Sequence, residues 1–182
     1  LSQSVLDGVL EAAHRYAKPV AMDPKDNHLL QIDGITLATP NCREAHVCAG
    51  LPPRSTIPGD PLRDELLRRA GEVLLEKWQA RQIIVTLGAQ GMYLTGRDQT
   101  PEVIPTRARE VFDVSGAGDT VIATCLLALS SGASQREAAM LGNYAAGVVV
   151  GKIGTATCSP DELLTAIEYD LMENKSKDRK SK

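Results

Sequence analysis

Aromatic residues are scarce: Trp, Tyr and Phe together make up 3% of the 182 residues. The core must therefore be aliphatic, built from Leu, Val, Ile and Ala. Surplus charge is also missing. A formal net charge of −3 offers no general case for a nucleic-acid partner. No apolar run reaches membrane-spanning length, so a membrane is not an expected partner either. The chain has four cysteines, Cys42, Cys48, Cys125 and Cys158, with no Cys-x-x-Cys pair among them. Cys42, His46 and Cys48 lie close together, but a structural zinc takes about four ligands at recognised spacings and no second cluster exists. Reduced thiols of a cytoplasmic protein are the better reading. Leu1-Ser-Gln-Ser at the start lacks the charged and apolar regions of a signal peptide, and it lacks an initiator Met. No internal repeat is visible. What remains is an apolar content of 43% with scattered charge, over a length of one domain or slightly more.

The apolar residues are periodic. Val5, Val9, Leu10, Ala13 and Tyr16 or Ala17 recur at helical spacing, and Lys18-Pro19 ends that helix. Val20–Asp23, Ile35–Thr39 and Gln82–Leu87 read as short buried strands. Asn41 caps a helix running to Ala49, and Glu44 completes a capping box. Asp60 and Pro61 open a helix whose inner face is Leu62, Leu66, Leu67, Ala70, Val73, Leu74 and Trp78, with Trp78 read as core. Gly88-Ala-Gln-Gly91 turns into a hairpin strand, Met92–Thr95. Val103–Val114 reads as extended, broken at Pro105. Val121–Leu129 is a buried helix. After the break at Gly132-Ala-Ser134, Ser134 and Glu137 repeat the capping-box pattern ahead of a nearly all-apolar helix, Gln135–Val150. Pro160 starts the last helix, which reaches Met172. Residues 173–182 are lysine-rich without an apolar side chain and read as a disordered basic tail after the domain at 1–172. Strands alternating with helices imply an α/β fold with a parallel, helix-covered sheet.

The stretch around which these elements are organised is Asp113-Val-Ser-Gly-Ala-Gly-Asp-Thr-Val-Ile-Ala-Thr-Cys-Leu126. Ser115 is its natural N-cap. Gly116, Ala117 and Gly118 then form a first turn where a ligand can approach bare backbone, and where free N–H groups attract anions. Asp119 follows in the same turn, where the helix dipole favours the carboxylate. A donor pocket for a phosphate beside a fixed base suits phosphoryl transfer to a hydroxyl. The alternative is a glycine-rich helix start with an ordinary capping Asp. Other positions stay open on the residues alone. Lys25, past a strand's carboxyl end where ligands of open α/β sheets bind, either reaches a phosphate or is a solvated turn lysine. Gly88 and Gly91 either make a tight turn or leave room for a nucleotide. Asn143 must be hydrogen-bonded, either tying helices together or facing a base. Arg107 and Arg109 either pair with an anionic substrate or lie on the surface.

Asp113–Leu126 resembles the C-terminal signature of the ribokinase/PfkB carbohydrate kinases. Three further strings, Thr106–Asp113, Asn143–Ala156 and Asp23-Pro24-Lys25, bring the resemblance closer to the kinases of D-glycero-D-manno-heptose 7-phosphate within that family. It covers nearly the whole chain, to about Glu168. The family continues Asp-Pro-Lys with Gly where this chain has Asp26, which weakens close backbone approach there. The resemblance implies a ribokinase-like three-layer αβα fold with a mostly parallel sheet. It also implies that the N-terminal part, which carries sugar-binding residues and a small β lid, is absent from this chain, as in a fragment of a longer kinase. The lysine-rich tail argues against a nucleotidyltransferase fused behind it. By the same resemblance Asp119 is the base and Gly116, Ala117 and Gly118 form the anion pocket. Lys25, Asn41, Glu44, Thr86, Gly88, Gly91 and Asn143 border ATP, whose Mg²⁺ lies near Glu44 without direct ligation. A potassium or sodium ion sits beside Asp113 and Ser115. The expected activity is ATP-dependent phosphorylation of heptose 7-phosphate to the 1,7-bisphosphate for lipopolysaccharide core precursors, with a homodimer among the assemblies allowed. Against it stand another sugar or nucleoside kinase of the family, and a truncated, non-catalytic nucleotide-binding module.

Overall fold

Strand periodicity decides the layering. The computed structural model describes residues 2–25, 30–97 and 99–180, with backbone alone for 174–180. Ile83 and Val85 of one strand (Gln82–Thr86) enter one buried cluster, and Ile84 between them enters another. Successive side chains of a strand point to opposite faces, so the sheet is covered on both. The first cluster joins Ile83 and Val85 to helix α1 (Gln3–Arg15) through Leu6 and Leu10. It takes in α2 (Cys42–Cys48) through Ala45 and α3 (Glu65–Lys77) through Leu67, Ala70 and Leu74. The second joins Ile84 and Leu37 to α4 (Ala117–Ser130) through Val121 and Cys125, and to α5 (Gln135–Val150) through Ala138 and Ala139. Trp78 is buried in the first cluster, as its helical spacing predicts.

The sheet has the order β1 (Ala21–Met22), β2 (Leu37–Ala38), β3 (Gln82–Thr86), β4 (Met92–Gly96), β5 (Glu102–Ile104). β1, β2 and β3 pair in parallel, and β4 runs antiparallel to both β3 and β5. All but β4 therefore point the same way, and the three-layer, mostly parallel α/β expectation holds. The register Thr86↔Met92↔Ile104 brings the end of β3, the start of β4 and the end of β5 to one edge. The ends of β1 and β2 share that edge.

Beyond shifts of a few residues at the ends of other elements, three boundaries depart from the sequence reading. Extended chain over 103–114 stops at Ile104, because Pro105 has no N–H to continue a ladder. The helix expected from Pro61 is instead a 3₁₀ turn, Pro61–Arg63; Asp64 then caps α3 by accepting from the Leu67 N–H at 2.8 Å. Leu62 and Leu66 consequently face solvent. The last helix, α6 (Pro160–Lys180), runs past Met172 through the stretch expected to be disordered; its Glu, Lys and Arg residues are good helix formers. The Asp26 position lies outside the described residues.

Candidate active site

The site is assembled at the carboxyl edge of the sheet from two loops. The first follows β3. Thr86 donates its N–H to the Pro40 carbonyl at 2.9 Å and forms an isolated parallel bridge with Asn41. Gly88–Gln90 then make one 3₁₀ turn, and Gly91 reverses the chain at φ 89°, ψ −128°. A Cβ at Gly91 would stand 2.0 Å from the Ile104 carbonyl oxygen and 2.6 Å from the Thr106 nitrogen. Backbone strain and overpacking therefore act together in Gly91→Ala. We expect it to lower stability by about 2–3 kcal/mol, read from the denaturation midpoint. A shift below about 0.5 kcal/mol would show that the loop is not pressed against residues 104–106.

The second loop leads into α4. The N-cap expected at Ser115 falls one residue later, at Gly116, in the left-handed conformation (φ 78°, ψ 0°) and without a side-chain cap. The cause lies upstream: the Ser115 N–H donates to Asp113 Oδ1 at 2.8 Å, which makes Ser115 part of the preceding turn. That N–H, the Ser115 hydroxyl and the Gly154 N–H hold the Asp113 carboxyl below the usual carboxylate range. Within the first turn, the Ala117 N–H is spent on the Val114 carbonyl at 3.2 Å. The N–H groups of Gly116, Gly118 and Asp119 have no partner among the described residues. Of the three expected donors two remain, and the amide of Asp119 joins them. The Asp119 carboxylate is exposed in this turn and has no hydrogen bond or ion pair among the described residues.

A cleft of about 380 Å³ separates the two loops, within the size range of small-molecule sites. Thr86, Gly88 and Gly91 line it from the first loop, Ala117 and Gly118 from the second, and Asn143 from α5. Thr106, Ala108, Val111 and Val114 form a further wall that sequence reading did not assign. Cβ atoms built at Gly88 and Gly118 meet no protein atom within 4 Å. Bare backbone thus faces the cleft from both sides.

Other expected residues lie elsewhere. Lys25, Asn41 and Glu44 do not line the cleft. Lys25 Nζ is paired with Asp23 at 2.6 Å and Glu44 at 3.3 Å, chiefly Asp23 holding it above the usual ammonium range. Glu44 accepts the Asn41 N–H at 2.8 Å while Asn41 Oδ1 accepts the Glu44 N–H at 2.9 Å, the expected capping box. This trio connects to the cleft through the bridge from Asn41 to Thr86. Lys25 instead borders an apolar hollow shared with Leu6 and Trp78. Asn143 lines the cleft but does not present a free amide. Its Nδ2 donates to the Pro105 carbonyl at 2.7 Å and its Oδ1 accepts the Arg107 N–H at 3.4 Å, so it ties α5 to residues 105–107. Arg107 and Arg109 turn away from the cleft. Arg107 pairs with Asp170 at 3.0 Å, and Arg109 lies 3.4 Å from the centre of the Tyr169 ring.

One sequence signal for this wall was available in Gly147. A glycine inside a helix costs about 1 kcal/mol relative to Ala and asks for a reason. Here a Cβ would stand 2.9 Å from the Arg107 carbonyl carbon, so Gly147 is where α5 and the wall touch. Among the described residues no three His, Cys, Asp or Glu side chains are grouped to hold a metal ion. His46 is fully buried, and its Nδ1 donates to the Cys42 carbonyl at 2.7 Å. No helix among the described residues is long and apolar enough to cross a membrane.

The family model described as pfkB family carbohydrate kinase matches residues 1–162. The bifunctional protein HldE of Pelobacter propionicus is 39% identical over 178 residues, which cover 97% of this chain and 35% of that protein. HldE of Halorhodospira halophila is 44% identical over 160 residues, 88% of this chain and 32% of that protein. Among solved structures, Arabidopsis thaliana ribokinase complexed with ribose and ATP superposes with a TM-score of 0.75 at 23% identity, covering 91% of this chain and 52% of that one. Phosphofructokinase-2 from Escherichia coli in complex with potassium superposes with a TM-score of 0.74 at 22% identity, covering 93% and 53%. The chain spans about a third of the length of these curated relatives and about half of these solved chains.

Proposed function

Because the chain belongs to the PfkB family of carbohydrate kinases, we propose that its cleft binds ATP and that Asp119 serves transfer of the terminal phosphoryl group to a sugar hydroxyl. The observation that carries this reading is the juxtaposition of Gly88 and Gly118 across one cleft, beside the unpartnered Asp119 carboxylate. The apolar lining from Met92 to Val150 suits a nucleotide base, and the free N–H groups of Gly116, Gly118 and Asp119 suit phosphate. In the reaction the sugar O–H bond breaks, its proton passes to Asp119, and the oxygen bonds the γ-phosphorus while the β–γ bridge breaks. The donors of the α4 turn stabilise the charge on the transferring group.

Magnesium would screen the phosphates. Both oxygens of Glu44 are engaged, by Asn41 and Lys25, so Glu44 would act on it through water rather than as a direct ligand. A potassium or sodium ion would lie beside Asp113 and Ser115, where the Asp113 carboxyl is held ionised. Asn143 and Lys25 serve the site indirectly in this reading, one by fixing the wall and the other by anchoring Glu44.

For the sugar we propose heptose 7-phosphate, phosphorylated to the 1,7-bisphosphate on the way to lipopolysaccharide core precursors. Similarity to proteins named HldE supports it. The test is label transfer from γ-labelled ATP by the complete protein, with magnesium, to heptose 7-phosphate, a fructose phosphate, ribose and a nucleoside in turn. Label is expected on the heptose. Preferential labelling of another acceptor reassigns the substrate, and binding of an ATP analogue without transfer to any acceptor leaves only a nucleotide-binding module.

A further inference from the structure

Residues 105–111 form a wall of the cleft and belong to no helix or strand, so their position comes from tertiary contacts. Those contacts converge from two helices. Asn143 of α5 holds the Pro105 carbonyl and the Arg107 N–H. The Arg107 guanidinium lies 5.3 Å from the centre of the Tyr144 ring and pairs with Asp170 of α6 at 3.0 Å. The Tyr144 hydroxyl donates to the same carboxylate at 2.7 Å, and Arg109 stacks on Tyr169 next to it. Asp170 is thus one acceptor receiving both a charged and a neutral donor, one from the wall and one from α5.

Its side chain and that of Arg107 are 17% and 30% exposed. Both side chains are mostly covered, so the pair and the hydrogen bond from Tyr144 also help hold α6 to the rest of the chain. The geometric effect of the pair falls on the stretch between the Asn143 contacts and Phe112, whose N–H donates to the Val150 carbonyl at 2.8 Å. We propose that Asp170 is a positioning residue for the nucleotide: α6 acts as an outer clamp that sets the wall carrying Thr106, Ala108 and Val111, and thereby the width of the cleft. Asp170 touches neither substrate nor reacting atoms and acts through Arg107. The proposal rests on the reading of the cleft as the nucleotide site.

The experiment uses the complete protein and titrates a fluorescent ATP analogue, alongside steady-state kinetics and melting curves, for wild type, Asp170→Asn and Tyr144→Phe. Asp170→Asn keeps the shape and removes the charge that holds Arg107. Loss of a coupling contact of this kind typically weakens binding by about three- to thirtyfold. The expected result is a Kd for the analogue and a KM for ATP raised by that factor in the folded protein, with kcat and the KM for sugar little changed. Tyr144→Phe should move the same two quantities less, and Asp170→Glu should restore them in part. If wild type binds the analogue and both variants bind it equally well, the clamp is overturned. Equal losses toward ATP and sugar, tracking the folded fraction, overturn it too, since that is what a merely structural contact would do. Failure of wild type to bind the analogue at all defeats the nucleotide reading instead.

Discussion

Asp119→Asn is expected to reduce turnover by about 10²–10⁴-fold while the nucleotide still binds, the usual cost of losing a general base. Three observations set the expectation. Asp119 lies in the first turn of α4, beside the cleft-lining Gly118. Its carboxylate is exposed and uncommitted among the described residues, so nothing in the fold requires it for packing. Its N–H belongs to the same group of free donors that would face the phosphate, which puts base and anion pocket in one turn of helix. Asn keeps the size and the backbone donor and removes the negative charge, and with it the capacity to take a proton. Melting should therefore change little. The measurement is single-turnover phosphorylation by the complete protein beside analogue binding. Near-normal turnover in a folded variant removes Asp119 from the base role, whereas loss of analogue binding would move its contribution from chemistry to affinity.

Gly118→Val is expected to lose about 10²–10³-fold in activity, the scale of one oxyanion-type donor, with little loss of stability. From sequence, this glycine combines close phosphate approach with a need for unusual backbone angles. The structure divides those properties between two residues. Gly116 has the left-handed φ, whereas Gly118 is helical, lines the cleft and has open space where a Cβ would go. A valine there meets no protein atom at its Cβ, and in a helix it is no worse than glycine by propensity. Its added bulk would stand where a bound phosphate needs bare backbone. A melting curve paired with single-turnover kinetics separates the outcomes. Activity that merely follows the folded fraction would reduce the α4 turn to an ordinary helix start. The contrast with Gly91 sharpens the test, since Gly91→Ala should lose stability first because its Cβ collides with backbone.

Much of the fold was legible in the sequence wherever local chemistry decides. The capping boxes Asn41/Glu44 and Ser134/Glu137 form as written, because each is closed within a single helical turn. The apolar run in Gln82–Thr86 forms the buried strand expected there, and the helical spacing before Trp78 placed that ring in the core. Boundaries were less legible. The helix expected from Pro61 needed a second cap at Asp64, and α6 outruns its apolar pattern.

The sequence by itself determined the alternating α/β plan, the aliphatic core and the Gly-Ala-Gly-Asp turn, all of which depend on neighbours within a few residues. Tertiary structure decided what each candidate side chain is free to do. Asn143 spends its amide on residues 105–107, 36 positions upstream of it at Arg107, and Arg107 in turn answers to Asp170, 63 positions away. The backbone N–H of Phe112 donates to the Val150 carbonyl at 2.8 Å, pinning the chain ahead of α4 to the end of α5. No local pattern encodes such partners. A buried or crowded polar group takes the hydrogen bond that packing puts within its reach, and only the folded chain brings those groups together.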